Sequence, residues 1–182
     1  MSWWWILALV VVLLLFGIYL SMTAGRLDRL HLRIESAERA LDVQLALRTA
    51  ITIDLAVSGL VDPVLGAVLT DAAHAARTSV ALGVREREIA ESDLSRTLSL
   101  AFVDPEDVSE IQRDPEGAAF LEDLGAACRR VELSRRFLND AVRACRQVRS
   151  LRMARWFHLA GRTSWPQTVE MDDTPPPLLS AS

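Results

Sequence analysis

Three histidines, two cysteines and a scatter of single acids are the side chains here that could do chemistry, and their spacing does not gather them. His31, His74 and His158 stand on separate segments, and the chain holds no His-x3-His or Cys-x2-Cys pair. A metal site needs several ligands converging at such short spacings. No metal and no cofactor are therefore expected. Cys128 and Cys145 lie on one expected helix. At 1.5 Å per residue their separation is roughly 25 Å, too far for a disulfide. Both fall on or beside an apolar stripe with nothing nearby to lower a thiol pKa. That makes them core thiols, not nucleophiles. Free thiols also fit a reducing compartment. Asp42, Asp54 and Asp71 read as solvated acids on helix surfaces. No Gly-rich phosphate loop and no Gly-x-Ser-x-Gly turn is present, so phosphoryl and acyl transfer lack their usual signatures. No catalytic residue is expected, and the chain does not read as an enzyme.

Behind these residues, the organising contrast is between an apolar start and an Arg-rich remainder. Trp3 to Leu20 is an unbroken apolar run without charge or proline. About 18 such residues suffice for a helix across the hydrocarbon core. Trp3, Trp4 and Trp5 at one end and Tyr19 near the other are the rings that favour the headgroup zone. A cleaved signal peptide would carry a basic n-region. None exists before Trp5, and the one candidate cleavage site is the weak Met22-Thr23-Ala24. Residues 1–24 are thus expected to be an uncleaved transmembrane anchor. Arg26, Arg29, Arg33 and Arg39 flank only its C-terminal side. That asymmetry places the following domain in the cytoplasm of a single-pass plasma-membrane protein.

Residues 25–162 carry few aromatics and no alternating β-branched runs, so an all-α domain is expected. Asp62-Pro63, Asp104-Pro105 and Asp114-Pro115 mark helix starts, with Asp as N-cap and Pro preformed for the first turn. Gly83 reads as a helix stop. A first helix, continuous with the anchor, is expected to about Leu60, with Leu27, Leu30, Ile34, Ala37, Leu41 and Leu45 on one face. An Ala-rich second helix is expected from Pro63 to about Leu82. A third is expected from about Arg85 to Phe102, with Ala90, Leu94, Leu98 and Phe102 on one stripe, followed by a short turn from Pro105 to Ile111. The fourth helix, about Gly117 to Arg149, has the clearest pattern. Phe120, Leu124, Ala127, Val131, Ser134, Leu138, Ala141, Cys145 and Val148 alternate by four and three, the seam of a bundle or coiled coil. Residues 163–182 form a Pro-rich tail expected to be disordered.

Three stretches carry a family resemblance. They are Leu41-Asp42-Val43-Gln44-Leu45 followed by Arg48, Ala75-Ala76-Arg77, and the run Glu132 to Val142 with Asn139. Gly161, Trp165 and the acids Glu170 to Asp173 complete the order. This arrangement resembles the LemA family of bacterial membrane-anchored helical-bundle proteins across nearly the whole chain. The resemblance implies an antiparallel four-helix bundle on a single anchor, and brings no established activity. The family's Tyr-Asn pairs are reduced here to Leu138-Asn139, with Ala144-Cys145 and Arg26-Leu27 at the other two places.

Charge is distributed unevenly. Arg129 to Arg162 holds ten arginines against two acids, and Arg85 to Asp123 holds four against twelve. The simplest expectation is that the basic helix is neutralised by the acidic segment. An up-down-up-down bundle would also return the last helix to the membrane. Its end would deliver Arg149, Arg152, Arg155, Trp156, Phe157 and Trp165 to anionic headgroups. The domain as a whole is acidic, so nucleic acid is not an expected partner. The expected function is a membrane-tethered interaction or scaffold protein of the bacterial cell envelope. Its expected partners are the membrane and a protein of unknown identity, a second copy among the candidates. The alternative is a membrane-organising, anionic-lipid-binding module.

Overall fold

The computed structural model describes residues 3–150 and 165–180. Among them every regular element is a helix: α1 (Trp3–Val57), α2 (Pro63–Ser79), α3 (Val84–Ala101), α4 (Pro105–Gln112), α5 (Pro115–Arg149) and α6 (Pro177–Ser180). The helix starts follow from the Asp-Pro pairs. Asp62 accepts from the backbone N–H groups of Val64 and Leu65, Asp104 from Glu106, and Asp114 from Glu116. Each pair satisfies donors that an α-helix leaves orphaned. Gly83 has the positive φ expected of it, 138°. It serves as the N-cap position of α3, not as the last stop of α2, which ends at Ser79. The segment expected as a turn after Pro105 is a helix of two turns, because Asp104 caps it and Val108 and Ile111 give it a buried face.

α1 is one helix of 55 residues, about 80 Å long at 1.5 Å per residue. Its apolar first part is long enough to cross a membrane and none of it is buried. Trp3, Trp4 and Trp5 are each at least three-quarters exposed. A core helix of that composition would be covered by its neighbours. The exposure therefore points to membrane association.

The chain divides into two compact units. The first comprises residues 1–36 and 139–168. In it Leu27 and Ile34 of α1 and Ala141, Val142, Cys145 and Val148 of α5 are buried. The second comprises residues 37–138 and 169–182. Its core gathers Leu55, Leu69, Leu94, Leu98, Phe102, Leu121 and Leu124. The spacing-derived seam of α5 is buried at Leu124, Ala127, Val131 and Leu138 within this unit.

The tail corrects the sequence reading. Residues 169–180, assigned above to a disordered segment, pack into the second unit. Met171 and Leu179 are buried apolar residues, and Asp173 is only 6% exposed. Proline richness misled because prolines limit ladder bonds without precluding docking, or a helix start such as that at Pro177. Residues 169–176, which form no helix, and α6 gain their contacts from side chains of other elements.

Candidate functional site

The buried polar contacts of the second unit join α1 to α3, and α3 and α5 to the tail. On α1 the apolar positions Leu41 and Leu45 are followed at the same three- and four-residue steps by Arg48, Thr52 and Leu55, all buried. The heptad stripe therefore continues through an arginine. Arg48 is 1% exposed. Its Nη2 donates to Glu91 Oε2 at 2.7 Å and its Nη1 donates to Ser95 Oγ at 2.8 Å. The Ser95 hydroxyl donates in turn to the Glu91 carbonyl at 3.0 Å. Thr52 Oγ1 donates to the Arg48 carbonyl at 2.8 Å. Glu91 and Ser95 sit one turn apart on the buried face of α3. An isolated charge at this depth would be costly, so the two ions hold each other, and the Ser95 hydroxyl accepts a second bond from Arg48. Arg48 Nε has no hydrogen-bond partner.

Cys128 of α5 lies in the same electrostatic neighbourhood. Burial pushes its thiol pKa up, and the nearby Arg48 and Arg129 only partly oppose that. The thiol stays protonated, which makes it a poor nucleophile. Burial also raises Cys145, with Arg149 opposing. Both cysteines are free and buried. A cavity of about 130 Å³ adjoins the buried pair. It is lined by apolar side chains such as Leu45, Ile53 and Val80, and by Glu91, Arg87 and Asp42. Arg87 Nη2 and Asp42 Oδ1 pair at 2.8 Å with the Asp42 side chain 55% exposed, so Asp42 is the helix-surface acid expected of it, with an ion-pair partner.

The tail occupies a seat on α3 and α5. Arg135 donates through Nε and Nη2 to the two carboxylate oxygens of Asp173, at 2.5 and 2.8 Å. This bidentate bond raises the Arg135 pKa further. Glu88 Oε1 accepts from the Glu170 N–H at 2.8 Å, and Ser92 Oγ accepts from the Asp172 N–H at 3.0 Å. Arg129 Nη1 donates to the Leu179 carbonyl at 2.8 Å. Gly125 is required here. A Cβ on residue 125 would stand 2.4 Å from the Leu179 carbonyl oxygen. The Thr174 N–H donates to Asp172 Oδ1 and holds that carboxyl below the usual carboxylate range.

Along α5 itself, Glu132 pairs with Arg136 and Asp140 with Arg143.

Of the expected membrane-surface residues, Arg149 and Trp165 are brought together. The guanidinium carbon of Arg149 lies 5.0 Å from the Trp165 ring centroid, a cation–π geometry. Arg146 Nε donates to the Pro166 carbonyl in the same unit. Arg152, Arg155, Trp156 and Phe157 lie outside the described residues, as does His158. Tyr19 is about half exposed. Asp28 with His31 and Asp71 with His74 have an acid-x2-His spacing. Even so, no group of three or more metal-ligating side chains gathers among the described residues. His74 Nδ1 instead pairs with Arg77 at 2.8 Å.

Glu91 and Ser95 escaped the sequence reading because they sit in an acidic, surface-like stretch. The available signal was the continued stripe through Arg48, which demands an acid on whatever helix faces it. Comparison with family models, with curated proteins and with solved structures gave no match.

Proposed function

We propose that this chain is a membrane-tethered scaffold of the bacterial cell envelope, a divergent LemA-like four-helix bundle that holds a rigid helical surface against a protein partner at the cytoplasmic face. The observation that carries the reading is α1. Its uncovered apolar part and its core-facing part belong to one uninterrupted helix. An uncovered stretch of that length and composition is what a membrane anchor presents. Arg26, Arg29, Arg33 and Arg39 beyond the apolar part support the cytoplasmic orientation. A non-catalytic role is supported by how the buried polar groups are used. Arg48 and Glu91 close on each other, and Cys128 is held as a thiol. The test is cell fractionation of the full chain, with a reporter fused after Ser182. The protein should resist alkaline extraction from the membrane, and the reporter should behave as cytoplasmic. Release by alkali, or reporter activity outside the cytoplasm, overturns the reading.

The Arg149–Trp165 stack supports a second reading, in which the basic-aromatic end of α5 binds anionic lipid. A guanidinium on an aromatic face is the pairing that headgroup zones favour. Arg149→Gln with Trp165→Ala in the full chain should then reduce the enrichment of anionic lipid that co-purifies with it. Unchanged lipid removes this reading and leaves the first intact.

A further inference from the structure

The cavity beside the Arg48–Glu91 pair has two unlike ends. Along α1 its wall runs from Asp42 to Ile53, about 16 Å of helix at 1.5 Å per residue. At the Asp42 end stands the ion pair with Arg87. Beyond it the wall is chiefly apolar, from Leu45 to Ile53, with Ala76 of α2 completing it. Leu45 and Ala76 are buried, whereas Ala46, Ala50 and Arg77 are exposed. The cavity therefore has a floor against the core and a mouth. Its space exists because alanines stand at positions 46, 50 and 76, where longer side chains would fill it.

The charges at this cavity do not balance. Arg48 and Glu91 cancel, as do Arg87 and Asp42. Arg77 lines the same cavity, and the partner described for it is His74 Nδ1 at 2.8 Å, a ring nitrogen that accepts without carrying negative charge. Arg87 has donors to spare. Its pair with Asp42 uses Nη2, and its Nε is buried without a hydrogen-bond partner. A carboxylate takes guanidinium N–H groups in pairs. We propose that the cavity binds a small monocarboxylate, with its head on Arg77 and Arg87 and its apolar body along Leu45 and Ile53. Ligand sites are built in this way, from apolar walls with a few polar groups that fix orientation. An apolar cavity of about 150 Å³ takes benzene, so a body of about four to six carbons fits the 130 Å³ here. A second carboxylate on the ligand would face Glu91 or Asp42, whose like charge rejects it. The inference does not depend on the membrane-tethered reading.

The test titrates hexanoate into the full chain in detergent and follows binding by calorimetry. Hexan-1-ol keeps the body without the charge, acetate keeps the charge without the body, and adipate adds a second carboxylate. Saturable binding of hexanoate is expected, with the other three at least about tenfold weaker. Arg77→Gln should weaken hexanoate by about tenfold, the loss of one charge-assisted contact, and Arg77→Lys should restore part of it. Ala50→Leu fills the mouth and should abolish binding. Positions 50 and 77 are exposed, so these variants should melt like the parent in the absence of hexanoate. Ala46→Leu, also at the mouth, gives the same reading should Ala50→Leu melt lower. Hexanoate bound equally by both leucine variants sits outside the cavity and overturns the site. Hexan-1-ol or adipate bound as tightly as hexanoate overturns the monocarboxylate class. No saturable binding at millimolar hexanoate overturns the proposal outright.

Discussion

Arg48 and Glu91 stand 43 positions apart in the chain and meet at 2.7 Å with side chains 1% and 3% exposed. The pair fixes α1 against α3 in one register, because a shift of either helix by a residue would bury an unpaired ion. Breaking a buried pair costs about 3–5 kcal/mol, whereas replacing both ions with apolar groups is often neutral. Arg48→Met and Glu91→Leu should each destabilise the protein by that amount in denaturant melts. The double variant should recover most of the loss. Single variants within about 0.5 kcal/mol of the parent, a change typical of surface sites, would show that the pair contributes no register.

Cys128 ties stability to alkaline pH. Its native pKa is raised, first by burial, so the unfolded chain gives up this proton before the native one. The contribution is complete below the ordinary thiol pKa of about 8.5 and is lost as pH rises through the higher native value. Cys145 shifts the same way. Native protein at pH 8 should therefore react slowly with a thiol reagent and quickly in denaturant, and its midpoint should fall above about pH 8.5. Rapid native labelling of both thiols would contradict the burial.

Legibility in the sequence followed the range of the forces involved. Local rules found Asp62, Asp104 and Asp114, since a cap and its helix are neighbours in sequence. Periodicity found the α5 seam through Leu124, Val131 and Leu138, because burial repeats with the helix. Glu91 was hidden, since its partner lies far away and an acid among acids looks solvated. The tail was misjudged for a related reason. Composition reports that a segment cannot fold alone, while Asp173 and Leu179 are ordered by Arg135, Arg129 and Gly125 elsewhere in the chain.

Leu138 tests the seam. It is 2% exposed, so Leu138→Ala should leave a cavity and cost about 2–5 kcal/mol. Leu138→Asp buries a charge without a partner and should prevent stable folding. Thermal melts of the full chain in detergent check both. A Leu138→Asp protein that melts like the parent would mean that the four-three repeat of α5 does not face a core.

Gly125→Ala separates the tail from the helices beneath it. The new Cβ would stand 2.4 Å from the Leu179 carbonyl oxygen and 3.3 Å from the Leu179 Cβ, and neither backbone nor core helix can yield by that much. The cheapest relief is for the tail to leave, which forfeits the Arg129 bond to Leu179 and re-exposes Leu179. Alanine is otherwise favoured over glycine in a helix interior by roughly 0.8–1.0 kcal/mol, so α5 itself should not weaken. Hydrogen exchange of residues 169–180 should therefore accelerate while the amides of α3 and α5 keep their protection. Arg135→Gln should release the Asp173 end in the same measurement. If Gly125→Ala leaves tail exchange unchanged, Leu179 is not seated against α5, and the contacts that order the tail must be sought at Asp173 alone.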